Sequence, residues 1–131
     1  MTEARWRELE TAIRQLEDVE RMVTAARQLQ DEATVEDVPR LRGLLEDPSF
    51  VVREAAGFPL AYLLGPECLR DLLLAQVKGE REGHDNDTLN AAIGEVLSLD
   101  ETGSRAMLAA LKRDPDPALA VAAASCEEYW E

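Results

Sequence analysis

Apolar residues recur along this chain at spacings of three and four, which is typical of amphipathic α-helices. No segment alternates strictly between apolar and polar residues, so no strand is predicted. The spacing predicts eight helices in four antiparallel pairs, over residues 3–16 and 18–30, 35–46 and 49–64, 66–78 and 86–99, and 101–113 and 116–130. We therefore expect an all-α fold and a single domain over residues 1–131, a length sufficient for one core.

Local signals mark some of the helix boundaries. Thr34 and Asp37 match a capping box at the start of the second pair. Pro59 falls inside a predicted helix, where it removes a backbone hydrogen bond and should kink the helix. Residues 79–87 are polar and are predicted to form the one long loop.

A short sequence beginning with Asp-Pro occurs twice. EDPSFVVREAAG (46–57) and RDPDPALAVAAAS (113–125) both place Asp-Pro before an alanine-rich apolar segment. Aligning Asp47 with Asp114 also aligns Val52 with Leu119, and a weaker alignment places Asp85 in the same position. Helix pairs repeated at intervals of about 30 to 45 residues are typical of α-solenoids. We expect each Asp to accept hydrogen bonds from the free N–H groups that start the second helix of its pair.

These residues carry a resemblance to a known family. The second pair resembles a HEAT repeat, similar to the short bacterial repeats grouped with the phycobilisome-lyase type, through Leu44-Leu45-Glu46-Asp47-Pro48, Val52-Arg53, Ala55-Ala56, Leu60 and Leu63-Leu64-Gly65. The resemblance implies an α-solenoid of about four helix pairs in a right-handed superhelix. It also implies that Arg53 is the arginine that braces the helices, a position that Ala120 takes in the fourth pair.

The charge is strongly acidic, with 14 lysine and arginine residues against 27 aspartate and glutamate residues and a net charge of −13. Nucleic acid and anionic membranes both require a basic surface, so neither is expected as a partner. The acidity fits either a solvated surface or a protein partner with a basic surface. No signal peptide or membrane span is predicted, and we expect a cytoplasmic protein.

No set of residues predicts catalysis or metal binding. His84 is the only histidine, which excludes clusters of several histidines. The loop carboxylates Asp85 and Asp87 lack the spacing of an EF-hand, because Leu89 and Asn90 stand where an oxygen ligand and glycine are required. We expect Asp85 or Asp87 to cap the following helix instead.

The two cysteines, Cys68 and Cys126, lie in apolar helical segments and are expected to be buried, reduced thiols. Among enzymes that resemble HEAT proteins, the iron hydroxylases need His-Glu pairs and the DNA glycosylases a basic concave surface. This sequence has neither, and no feature indicates a bilin site. We expect no enzyme activity, no metal and no cofactor.

Three groups of residues are candidate partner-binding positions: a stripe on the second helix of the second pair, the polar loop, and the C-terminus. They are Glu54, Phe58 and Tyr62; Glu82, Asp85 and Asp87; and Glu127, Glu128 and Tyr129. Tyrosines beside carboxylates suit a binding surface, although the aromatic residues could instead pack inside the fold.

The sequence favours a non-catalytic protein–protein interaction module. Its most concrete form is a small acidic inhibitor or immunity protein that occludes a basic partner such as a bacterial toxin. The alternatives are an adaptor or assembly factor of a larger complex, and a HEAT protein of the bilin-lyase kind.

Overall fold

The fold consists only of helices, which confirms the predicted all-α class. The computed structural model describes residues 1–131. Its α-helices are α1 Glu3–Ile13, α2 Val19–Glu32, α3 Val38–Leu45, α4 Phe50–Ala55, α5 Gly57–Leu64, α6 Leu69–Arg81, α7 Asp87–Leu99, α8 Glu101–Leu111 and α9 Pro117–Cys126. Short 3-10 turns precede α3 and α6 and follow α9, over Val35–Asp37, Gly65–Cys68 and Glu127–Trp130.

The helix predicted over residues 49–64 is interrupted at Ala56. Pro59 has no N–H to donate to the Ala55 carbonyl, and its ring would clash with that carbonyl in a regular helix. The chain therefore ends α4 at Ala55 and resumes as α5 from Gly57. The interruption agrees with the predicted effect of Pro59, and it separates the helix that carries Glu54 from the one that carries Phe58.

One contiguous core of 28 buried residues extends from α1 to α9. Its largest fully buried apolar side chains are Leu9, Ile13, Leu29, Leu41, Leu60, Leu69, Leu72, Leu73, Leu89, Leu108 and Leu119. Two apolar residues at the start of α2 lie outside the core, because Val19 and Val23 are 60% and 47% exposed. The apolar stripe of α2 is thus only partly covered.

Helix contacts follow the predicted pairs. The two helices of each pair contact each other, α5 contacts both α2 and α7, and α3 contacts α6. The fourth pair is placed differently, since α9 packs against α6 as well as α8, and α8 contacts both α6 and α7. The helices α2, α4–α5 and α7 lie side by side and form one layer, which carries the candidate residues Glu54, Phe58, Tyr62 and Asp87.

The two Asp-Pro sequences form the same turn. The Asp47 carboxylate accepts the Ser49 N–H at 2.8 Å, and the Asp114 carboxylate accepts the Asp116 N–H at 2.9 Å. The expected cap is therefore wrong in detail. Both Asp side chains accept an N–H in the turn before the helix, and they do not bond to the first N–H groups of the helix itself. In the second turn, Asp116 caps α9 by accepting the Ala118 N–H at 3.0 Å.

Each of these turns also receives an arginine from a neighbouring helix pair. Arg14, just after α1, reaches the Asp47 carboxylate at 2.6 Å, and Arg70 near the start of α6 reaches Asp114 at 3.3 Å. The sequence repeat therefore corresponds to a repeated tertiary contact.

Candidate functional site

The loop between α6 and α7 is shorter than predicted. The structure extends α6 through Arg81 and begins α7 at Asp87, so the predicted loop of residues 79–87 is wrong at its start. Gly79 is buried inside α6, and a Cβ there would overlap the Asn86 side chain. Gly79 therefore permits a close approach between the helix and the loop and does not end the helix.

Asn86 fixes the path of this loop. It adopts a left-handed backbone conformation, with φ of 58°, which asparagine tolerates better than most residues. Its buried side-chain amide donates to the Gln76 carbonyl at 2.9 Å. The loop carboxylates on either side are consequently held at the surface.

The start of α7 is capped from another helix. The Glu54 carboxylate accepts the Thr88 N–H at 2.9 Å and the Leu89 N–H at 3.4 Å. The expected cap by Asp85 or Asp87 is wrong, because neither of these side chains bonds to the free N–H groups. Glu54, one of the candidate binding residues, thus holds α4 against α7.

Arg53 is fully buried beneath the same surface. Its guanidinium donates to the carbonyls of Asp47 and Pro48 at 2.8 and 3.2 Å. It also forms an ion pair with Glu82, whose side chain is 38% exposed. Arg53 therefore connects the turn after α3 to the end of α6, and it offsets the charge of Glu82, one of the predicted binding residues.

His84 lies against this cluster. Its ring stacks on Phe50 with centroids 4.0 Å apart, and its Nε2 atom is 3.7 Å from the Glu82 carboxylate. The neighbouring Asp85 and the first residue of α7, Asp87, are exposed, and neither side chain has an ion-pair partner. These two carboxylates remain available to another molecule.

The predicted aromatic stripe is present on α5. The Phe58 and Tyr62 rings stack with centroids 6.2 Å apart. Phe58 packs against the core, whereas Tyr62 is 52% exposed. Partial desolvation and the neighbouring Glu95 carboxylate raise the pKa of the Tyr62 hydroxyl. Tyr62 and Glu95 therefore form one polar edge next to Phe58.

A groove of about 300 Å³ separates α2 from α4–α5. We call it the α2–α5 groove; its lining residues are Ile13, Met22, Val23, Ala26, Arg27, Gln30, Val51, Glu54, Ala55, Phe58, Pro59 and Thr88. Glu54 and Phe58 are among the candidate residues predicted from the sequence, whereas no residue of the α2 wall was a candidate. The dense apolar stripe on α2 was the signal that could have indicated this wall.

The C-terminal group is separate from the other two. Glu127 pairs with Lys112, just after α8, at 2.6 Å, and Arg105 lies 4.4 Å from the centre of the Trp130 ring. Tyr129 contacts Trp130 edge to face. Glu128 and Tyr129 are exposed, whereas Glu127 is offset by an internal cation.

Most cationic side chains are paired within the chain, and far more carboxylates than cations are left unpaired. Nine of the 14 lysine and arginine side chains form ion pairs within the chain. Five cations remain without such a partner: Arg21, Arg27, Lys78, Arg81 and Arg113. Sixteen of the 27 carboxylates have none: Glu17, Asp18, Glu20, Asp31, Glu36, Glu46, Glu54, Glu67, Glu80, Asp85, Asp87, Glu95, Asp100, Asp116, Glu128 and Glu131.

The cysteines, the possible metal ligands and the second cleft add no further candidate residues. Both cysteines are free; Cys68 is buried, whereas Cys126 is only half-buried, less than expected. Burial raises the pKa of the Cys68 thiol to about 12 and that of Cys126 to about 11, so both thiols are protonated at neutral pH. No group of three or more metal-ligating side chains comes together. A wider cleft of about 710 Å³ between α6 and α9 contains none of the predicted site residues.

None of the helices combines the length and the apolar character needed to cross a bilayer. No family model matches the chain, and no curated protein or solved structure is significantly similar to it.

Proposed function

We propose that this chain is a non-catalytic protein-binding module whose partner has a basic surface. Its most concrete form is a small inhibitor or immunity protein that covers a basic protein, such as a bacterial toxin. The observation that carries the proposal is the imbalance of unpaired charge, with sixteen carboxylates against five cations. Such an imbalance attracts a basic partner over distance and suppresses binding to acidic ones.

The proposed scaffold is a HEAT-like α-solenoid of about four helix pairs, wound in a right-handed superhelix. Two features support it: α5 contacts both α2 and α7, the second helices of the neighbouring pairs, and the Asp-Pro turns each receive an arginine from another pair. The hydrogen bonds from the buried Arg53 to the Asp47 and Pro48 carbonyls support the bracing role that the HEAT resemblance implies.

The mechanism of this module is occlusion. Asp85 and Asp87 are the carboxylates of the α6–α7 loop that the fold leaves without a cation, and they would meet lysine or arginine side chains of the partner. Glu82 contributes less, because Arg53 already offsets its charge. Exposed Tyr62 supplies an aromatic contact on the same layer, the kind of residue that anchors many interfaces.

Affinity capture with a charge-reversed variant tests this function. The immobilised chain is incubated with lysate of the cells that produce it, washed at low and then high salt, and the bound proteins are identified by mass spectrometry. The double variant Asp85→Lys/Asp87→Lys is compared with Glu36→Lys/Glu67→Lys, which changes the net charge equally. Asp87→Lys removes a favourable charge at a helix start, worth about 0.3–1 kcal/mol, so folding is checked first by circular dichroism.

The expected result is one basic protein, released by high salt and lost only from the loop variant. Several partners that are indifferent to salt would contradict the proposal and favour an adaptor. A bound pigment without a protein partner would contradict it in favour of the bilin-lyase alternative.

A further inference from the structure

The α2–α5 groove presents apolar surface that nothing in the chain covers. Val23 on the α2 wall is about half exposed, and Phe58 forms the opposite wall. Next to the groove, exposed Tyr62 stacks on Phe58, and exposed Val19 lies one helical turn before Val23 on α2. Apolar surface that is contiguous and bordered by charge usually marks an interaction site.

The charges around this groove are arranged asymmetrically. Arg27 lies on the α2 wall and has no ion-pair partner. On the opposite side, the Glu54 carboxylate bonds only to backbone N–H groups, and Glu95 lies beside Tyr62 without a cation. An occupant is therefore favoured when it carries a cation towards α5 and α7 and an acceptor towards α2.

The shape suits a helix. The α2 wall presents Val23, Ala26 and Gln30 at spacings of three and four, so a third helix can pack its apolar ridge between α2 and α5. Docking of an amphipathic helix into an apolar groove is a recurrent mode of recognition, in which apolar anchors lie on one helical face.

Charge also decides between a second copy of this chain and a different protein. Each copy carries a net charge of −13, so two copies repel each other, whereas a basic partner is attracted. We propose that the α2–α5 groove docks an amphipathic helix of the basic partner. Its apolar residues lie between Val23 and Phe58, and a lysine or arginine faces Glu54 and Glu95. This inference rests on the proposed function, and it names the contact through which that function is exerted.

Selection from a display library of random peptides tests the groove without knowledge of the partner. The library is selected against the full chain and against the variants Val23→Asp and Glu95→Lys. The matched controls are Val35→Asp, which places the same charge on another exposed valine, and Glu46→Lys on the α3 side next to α6. Retained helicity and unfolding midpoint show that each variant is folded.

The groove predicts enriched peptides with apolar residues three and four apart and with lysine or arginine along one edge. Val23→Asp should weaken their binding about tenfold or more, as expected for a central anchor position, and Val35→Asp should not. Glu95→Lys should shift the selected peptides away from basic residues, and Glu46→Lys should leave them unchanged.

Several results would overturn the inference: no enrichment, enriched peptides without basic residues, or equal binding to the Val23→Asp and Val35→Asp variants. Dimerisation of the chain that Val23→Asp abolishes would also overturn it, because the occupant would then be a second copy. The two proposals fail separately. If only the groove is wrong, the Val23→Asp variant still captures the basic partner; if the function is wrong, no such partner is captured.

Discussion

The Glu54 carboxylate of α4 accepts the Thr88 N–H of α7 at 2.9 Å, although the two residues are 34 positions apart in the chain. A single side chain therefore satisfies the free N–H groups at the start of α7 and fixes α4 beside it. It also places a carboxylate on the wall of the α2–α5 groove. The stability of the layer and the charge of its surface thus depend on the same residue.

Removing this cap should destabilise the protein. Glu54→Ala leaves the Thr88 and Leu89 N–H groups without an acceptor, and we expect a loss of about 1 kcal/mol in the free energy of unfolding, as for other caps. Glu54→Gln retains an oxygen acceptor and should lose less. Urea unfolding measures both; equal stability of Glu54→Ala and wild type would show that the cap contributes nothing.

Two glycines in helices should respond to alanine with opposite signs. Gly94→Ala in α7 meets no atom within 4 Å and should stabilise the protein by about 0.5–1 kcal/mol, the usual gain in helix propensity. Gly79→Ala in α6 would overlap the Asn86 side chain and should destabilise it, because a buried amide must move. Thermal unfolding of both variants checks this, and stabilisation by Gly79→Ala would contradict the packing of the α6–α7 loop.

Arg53 should be among the residues that contribute most to stability. Arg53→Met leaves the Asp47 and Pro48 carbonyls without this donor, and we expect a loss of about 3 kcal/mol, because each buried acceptor left unsatisfied costs about 1–3 kcal/mol. Arg113→Met, at an exposed arginine without an ion-pair partner, should change stability by about 0.5 kcal/mol or less. Denaturant unfolding compares the two, and similar losses would mean that Arg53 does not brace the fold.

The ion pair between Arg14 and Asp47 should make stability depend on acid pH. The hydrogen bond from Arg14 lowers the pKa of the Asp47 carboxyl, and the Ser49 N–H contributes in the same direction. Because the folded pKa is depressed, this stabilisation is present above the ordinary aspartate pKa of 3.8 and is lost as the pH falls through the folded value.

The variant Arg14→Gln should therefore lose less stability than wild type between about pH 5 and pH 2. Urea midpoints across this range measure the difference. Because the Arg14 side chain is 42% exposed, we expect only a modest change in the free energy of unfolding. The control is Arg21→Gln, at another exposed arginine. Identical acid profiles for wild type and Arg14→Gln would contradict the role of this pair.

Local sequence signals predicted much of the fold. The spacing of apolar residues located every helix, because burial of one face is a local property of the chain. The steric effect of Pro59 is equally local, and the interruption at Ala56 agrees with it. The candidate residues Glu54 and Phe58 were found for the same reason, since residues four apart share a helical face.

Most of the errors involve contacts between residues that are distant in the chain, although the Asp47 and Asp114 caps were wrong for a local reason. A glycine such as Gly79 often marks the end of a helix, but here its role depends on Asn86, which packs against it. The cap of α7 comes from Glu54 and not from the adjacent aspartates. The exposure of Val23 depends on the distance between α2 and α5. The packing of α9 on α6 is also a tertiary contact, which no local sequence pattern predicts.

The dependence of binding on salt tests the central claim most directly. The affinity of the captured partner is measured by calorimetry at increasing ionic strength, for wild type and for Asp85→Lys/Asp87→Lys. The account predicts that wild-type affinity falls steadily with salt, and that the variant binds more weakly at low salt with a smaller dependence. An affinity that salt does not change, and that the variant shares, would contradict recognition of a basic surface by these carboxylates.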